Sequence, residues 1–222
     1  MTATKWLSAL GVALLWSGAA AGQDPAKVSP ETYRVVLDNP TVRIFRVTGP
    51  AGSKVPAHAH PDHLAIALAP AKVQITTPDG KSQTLDMASE SASYVPAGVH
   101  ESSNVGTTAL DALVIELKEA PGKAEIPMSR DGMNMKVLAE GAKAVTHRMT
   151  AAPSFQEPAG TKHDYAQVVI ALEPTSMSLA VDGKPAKTSW VRGDVAFIGR
   201  GVPHESKNPG GKPVNFIIVS IR

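Results

Sequence analysis

Apolar and polar residues alternate along much of this 222-residue chain with a period nearer two than 3.6. Thr41–Thr48 (TVRIFRVT) is one such run, rich in β-branched residues. Gly and Pro punctuate the runs roughly every eight to twelve residues, and Asp-Gly pairs at Asp79–Gly80 and Asp182–Gly183 mark tight hairpins. This pattern predicts an all-β fold of short strands, a barrel or a sandwich. The pattern also repeats. Leu64–Pro70 (LAIALAP) returns as Val168–Pro174 (VVIALEP), and Pro78–Lys81 returns as Val181–Lys184. Gly98–Asn104 (GVHESSN) returns as Gly201–Asn208 (GVPHESKN), and Leu113–Lys118 as Ile217–Arg222. The offset is far longer than any solenoid repeat and indicates duplication of a whole domain.

The repeated run carries its own packing prediction. If His63 faces inward, so do Ala65, Ala67 and Ala69, whose small side chains leave room for a small-molecule ligand. Leu64, Ile66 and Leu68 then face outward, as do Val168, Ile170 and Leu172 in the second copy. Apolar rows on both outer faces predict that the two sheets pack together, within one chain or between chains as a homo-oligomer. The copies are expected at 23–118 and 142–222. The stretch 119–141, with two Pro-or-Gly clusters and no clean periodicity, is expected to link them, with a short strand or helical turn around Met135–Leu138.

The N-terminus carries a different pattern. Lys5 precedes the apolar stretch Trp6–Trp16 (WLSALGVALLW), and the small residues Ser17–Gly22 follow. Together these read as a signal peptide over residues 1–22, its apolar part too short to span a bilayer comfortably. The expectation is an exported protein, in a bacterial periplasm, with no membrane span in the mature form. The chain has no Cys, which removes disulfides, thiolate ligands and thiol nucleophiles together. Its 22 basic and 20 acidic residues are interspersed, so nucleic acid is not an expected partner.

Four of the seven His fall between residues 58 and 100. His58 and His60, two apart in a strand, point to one face, which is the minimal geometry for a chelating pair. His100 follows after enough chain for two further strands and a hairpin to return it to the same place. These residues resemble the two motifs of the cupin superfamily. Gly52 stands six before His58 and His58-Ala59-His60 supplies H-x-H, while Pro96-Ala97-Gly98, His100 and Asn104 supply most of the second motif. The resemblance implies two tandem cupin-type (jelly-roll, double-stranded) β-barrels, with His58, His60 and His100 as metal ligands of the first. Where the family has a Glu ligand this chain offers His63, a candidate fourth. Pro70 and Glu90 replace two motif glycines, and a single residue, Val99, separates Gly98 from His100.

The second copy is eroded by the same comparison. Thr161 falls at the first His position, His163 holds the second, Gln167 replaces the Glu, and His204 and Asn208 remain. Hydroxyl and amide groups are poor substitutes for imidazole or carboxylate, so this degenerate site is expected to be structural. His147 lies outside both motifs and reads as a strand residue.

A cluster of neutral imidazoles without a carboxylate suits a divalent transition metal, Fe, Zn, Ni or Cu, better than Mg or Ca. Such ligands leave the full charge on the ion, which favours Lewis-acid chemistry. The resemblance implies an oxidoreductase, dioxygenase-like, acting on a small organic molecule. No general base is evident, since Glu101 follows His100 directly and points to the opposite face. A non-enzymatic small-molecule or metal-binding protein is therefore the alternative.

Overall fold

Nearly every alternating run becomes a strand in the structure, a computed structural model that describes residues 23–222; the expected signal peptide lies outside these. A short helix, α1 (Pro25–Val28), precedes nine strands: β1 (Tyr33–Asp38), β2 (Val42–Gly49), β3 (Lys54–His60), β4 (His63–Ala67), β5 (Ala71–Thr76), β6 (Ser82–Met87), β7 (Ala92–Val95), β8 (Gly98–Asn104) and β9 (Leu110–Leu117). Eight more follow: β10 (Met133–Glu140), β11 (Ala144–Ala151), β12 (Ala166–Ala171), β13 (Ser178–Val181), β14 (Lys184–Lys187), β15 (Val195–Ile198), β16 (His204–Lys207) and β17 (Val214–Ile221). Among the described residues no helix is long and apolar enough to cross a membrane.

The duplication read in the sequence is a duplication of topology. One sheet of the first barrel runs β1-β2-β9-β4-β7, and its counterpart in the second runs β10-β11-β17-β12-β15. The facing sheets run β3-β8-β5-β6 and β14-β13-β16. The second barrel has no strand equivalent to β3; that segment is reduced to isolated bridges at Gln156 and Thr161. The stretch 119–141 contains the whole of β10, which pairs with β11 as the edge strand of the second barrel. The short strand or helical turn expected around Met135–Leu138 is thus a full structural strand rather than part of a connector.

Both Asp-Gly pairs turn hairpins, β5–β6 and β13–β14. In the second, Asp182 and Gly183 both have positive φ and make up the whole two-residue loop, the conformation that suits the twist of the flanking strands. The second-motif asparagines also do the same work twice. Asn104 Nδ2 donates to the carbonyls of Pro50 (3.1 Å) and Thr108 (2.8 Å), and Asn208 Nδ2 donates to those of Ala152 (2.9 Å) and Lys212 (2.8 Å). Each barrel thereby satisfies loop carbonyls that burial would otherwise leave unpaired.

The outward apolar rows meet within the chain. Leu64, Ile66 and Leu68 pack with Val168, Ile170 and Leu172 in one buried cluster that also takes in Ile44, Leu113, Ile115, Ile217 and Val219. The alternate residues of the same strands face the barrel interiors: Phe45, Ala112 and Val114 in the first, Met149, Phe216 and Ile218 in the second. Strands covered on both faces lose their apolar–polar alternation, which is why β9, β12 and β17 read as almost continuous apolar runs. Polar contacts edge this seam. Glu90 sits at φ +63°, where the equivalent residue of the second barrel is Gly193 at φ +84°. A non-Gly residue held there costs on the order of 1–2 kcal/mol. Its carboxylate pairs with Arg148 (2.9 Å) and Arg192 (3.5 Å) of the other barrel, which helps offset that cost.

Candidate metal centre

Strand register brings the histidines together. In the β3–β8 pair His58 lies directly opposite His100, and His60 opposite Gly98. A register shift between Val55 and His58 adjusts β3 just before the H-x-H pair. The loop ahead of His100 is pinned by Asp62, whose Oδ1 accepts from the Ala97 amide at 2.9 Å. Ring centroids stand 4.5 Å apart for His58 and His100, 4.9 Å for His58 and His60, and 5.5 Å for His60 and His100. One nitrogen from each of the three lies within 4.8 Å of the others, close enough to share an ion. His63, at the start of β4, stands beside this triad with its ring 4.6 Å from that of His60.

The tautomers are set by acceptors. Nδ1 of His58 lies 2.8 Å from the Pro56 carbonyl, and Nδ1 of His63 lies 2.9 Å from that of Pro61. Nδ1 of His60 lies 2.8 Å from Oε1 of Glu116. A carbonyl or carboxylate oxygen only accepts, so Nδ1 carries the proton in each ring and Nε2 keeps its lone pair. The Tyr33 hydroxyl, 3.4 Å from His58 Nε2, is the nearest protein donor to one of those lone pairs; burial pushes its phenol up, so it stays protonated. Burial also depresses the imidazoles, and neighbouring imidazoles add to the effect in His60, His63 and His100. His60 and His100 fall to about 3 and His63 to about 4, while His58 falls below its usual value through burial. All four are neutral near pH 7, ready to ligate without first losing a proton. The donors therefore fit a divalent transition metal.

Glu116 is the residue that motif reasoning missed. It lies on β9 opposite His63 in register, is 5% exposed, and burial raises its carboxyl above the usual range. A carboxylate holding the far nitrogen of a histidine ligand orients the ring and raises its basicity. The available signal was a lone acid inside the apolar run Leu113–Leu117 (LVIEL).

Beside the imidazoles lies a cavity of about 130 Å³, lined by His60, His63, Ala65 and His100 and otherwise largely by aliphatic side chains such as Val55, Val73, Ile75 and Leu85. Ala65 faces it as the strand pattern predicts, whereas Ala67 and Ala69 do not line it. No Asp, Glu, Lys or Arg lines it.

The second barrel fills the same space differently. Thr161 bridges His204 as His58 pairs with His100, and Gln167 opposes Ser220 as His63 opposes Glu116. The second barrel thus lacks the first histidine, the fourth imidazole and the orienting carboxylate. His163 and His204 instead group with Glu157, a residue outside the motif positions, with donor atoms within 4.8 Å of one another. Gln167 and His204 line what remains of the interior, about 20 Å³, which Trp190, Met177 and Phe216 otherwise occupy. His147 is buried on β11 with neither ring nitrogen hydrogen-bonded to protein.

No protein-family model and no curated protein matches the sequence. Solved structures do. AerE from Microcystis aeruginosa superposes with a TM-score of 0.64 at 12% identity, over 86% of this chain and 97% of its own. A cupin 2 conserved barrel domain protein from Leptotrichia buccalis gives 0.58 at 15%, over 86% and 88%. The oxalate decarboxylase of Lactobacillus farciminis, solved as a formate complex, gives 0.60 at 12%, over 82% and 77%. At such identities the likeness is one of fold: an all-β chain of two tandem cupin-type barrels.

Proposed function

We propose that the first barrel binds a divalent transition metal through His58, His60 and His100 and that the cavity beside it receives a small, largely apolar organic molecule. The observation that carries this reading is the triad of buried or half-buried neutral imidazoles whose ligand nitrogens lie within 4.8 Å of one another, with Nδ1 of His58 and His60 already engaged, beside a largely aliphatic cavity. A bound ion with open positions would supply Lewis-acid or redox chemistry, and a dioxygenase-like oxidoreductase is the activity that suits an uncharged substrate. The residues of the chain do the rest. Glu116 fixes the His60 ring, the aliphatic walls exclude water, and His63 is placed to accept a hydrogen bond from a ligand in the cavity.

The lining argues against a small dicarboxylate such as the oxalate of the decarboxylase neighbours, because no cationic side chain is present to receive its second charge. It also supports a second reading. Only imidazoles with depressed pKa values stand ready for acid–base work, so a carrier that captures a small molecule at the ion without turnover is the alternative. Export to a periplasm, proposed on the N-terminal pattern, fits either.

Metal content of the purified protein tests the central claim. About one ion per chain is expected in the wild type, with loss in His60→Ala. An oxygen-consumption screen over small apolar phenols and carbonyl compounds then separates enzyme from carrier. A wild-type protein that takes up no Fe, Zn, Ni or Cu would remove the basis of both readings. Fractionation of the producing cells tests export.

A further inference from the structure

The Glu157, His163 and His204 group in the second barrel has the donors of a metal site, yet the chain itself supplies a cation there. Arg130, in the turn that leads into β10, reaches in with its guanidinium fork. Its Nη1 lies 2.6 Å from Glu157 Oε1, and its Nη2 lies 2.9 Å from His163 Nε2. An arginine side chain only donates, so His163 Nε2 is the acceptor and its lone pair is spent. A neutral imidazole has one such lone pair, and a metal would need it. The two occupants are therefore mutually exclusive at His163.

The remaining ligands fit the same picture. Glu157 is 4% exposed, and Oε2 accepts from Ser206 Oγ at 3.1 Å. A carboxylate this deep demands a fixed counter-charge, and the two-pronged contact of Arg130 provides it. His204 Nδ1 faces the Val202 carbonyl at 3.1 Å, leaving Nε2 as the lone-pair nitrogen. That atom is buried and hydrogen-bonded to nothing in the protein, although Glu157 Oε2 stands 3.5 Å away. The two prongs of the fork satisfy two of the three candidate ligand atoms, Glu157 Oε1 and His163 Nε2, and leave His204 Nε2 as the third. The small volume around it matches: about 20 Å³ remains, against about 130 Å³ in the first barrel.

We propose that Arg130 is a built-in cation that occupies the Glu157/His163/His204 pocket, closing the second barrel to metal and anchoring the segment between the barrels. This goes beyond the proposed function, which concerns the first barrel alone. Two measurements test it separately from that reading. The first uses the wild-type Arg130 with His58, His60 and His100 all replaced by Ala. Dialysed against Zn(II) or Co(II), this protein should retain less than a tenth of an ion per chain; a stoichiometric ion would overturn the proposal. The second uses Arg130→Met in the otherwise native chain, which keeps much of the side-chain bulk and removes the charge. It should gain one ion per chain over the wild type, and its thermal midpoint should fall without metal and recover with it. Adding Glu157→Gln should abolish the gain. If Arg130→Met folds and gains no ion, the proposal fails. If it does not fold even with metal, Arg130→Lys, which leaves a single compact charge, should fold and still exclude the ion; a second ion in that variant also overturns it.

Discussion

Glu116→Gln isolates the contribution of a residue that touches no ion. In the native barrel the Glu116 carboxylate accepts from His60 Nδ1 at 2.8 Å, and both side chains are almost fully buried. Gln keeps an acceptor of the same shape, so the ring keeps its tautomer, but the hydrogen bond loses its charge. Charged hydrogen bonds contribute about 1.5–3 kcal/mol and neutral ones about 0.5–1.5. The difference, about 1–1.5 kcal/mol, corresponds to roughly a five- to fifteen-fold weaker ion. Loss of the acceptor altogether, in Glu116→Ala, leaves a buried N–H unpaired and should reach the ~100-fold end of the range for such outer partners.

The metal-free protein should respond in the opposite sense. Burial already holds the Glu116 carboxyl above its usual range, so the native fold gains little from the charge there. Glu116→Gln should leave the metal-free urea midpoint unchanged or slightly raised. Competition between the protein and a chromophoric chelator at neutral pH measures the ion's affinity, and urea titration of the stripped protein measures the rest. Affinities equal to the wild type in both variants would refute the idea that Glu116 works through His60. So would a larger loss in Gln than in Ala.

Three further outcomes are expected. Stripped of metal, the protein should lose stability as pH falls from about 6.5 towards 4. The unfolded chain takes up protons at the ordinary histidine value, while burial and the neighbouring imidazoles hold folded His60, His63 and His100 neutral to lower pH, so the stability they lend is lost as pH falls through that window; a urea midpoint flat between pH 7 and 5 would contradict this. Ile66→Lys places a charge at a position with no exposure in the seam between the barrels and should prevent folding, whereas Ile66→Ala should fold with a loss of about 2–5 kcal/mol by chemical denaturation. Asn104→Ala and Asn208→Ala, each losing two well-placed donors to loop carbonyls, should destabilise by similar amounts, about 2–4 kcal/mol, with the metal content of folded protein unchanged in both.

The parts of the molecule legible in the sequence are those fixed by local periodicity. His58 and His60 share a face because a strand repeats every two residues, and Leu64, Ile66 and Leu68 share the other face for the same reason. The duplication exposed the second row, and two apolar rows without a partner could only be buried on something. What the pattern left open was whether that partner was the same chain, since periodicity carries no information about the hinge between the barrels. The residues that escaped detection all reach the sites across long sequence distances or from irregular backbone. Glu116 meets His60 through the pairing of β9 with β4, a register no local pattern reveals. Glu157 and Arg130 sit where the second barrel lacks a β3 equivalent and in the turn before β10, so neither lies within a strand whose spacing could have announced it.

The comparison between barrels shows which residues hold the fold and which hold the chemistry. Asn104 and Asn208 bind loop carbonyls identically, and both outer rows enter one core, so these positions serve architecture in each copy. At the inner positions the copies part: the first keeps His58, His63 and Glu116 where the second has Thr161, Gln167 and Ser220. The interiors follow suit, with Val and Ala walls bordering a cavity in one and Met, Phe and Trp filling the other. A pair of imidazoles facing a barrel axis needs a partner for its lone pairs, since burial without one is costly. Enlarged aromatic packing alone could not satisfy His163; a donor had to come from elsewhere in the chain. Arg130 meets that need together with the charge of Glu157, so the second barrel could lose its room for ligand without leaving its carboxylate and one of its two imidazoles uncompensated.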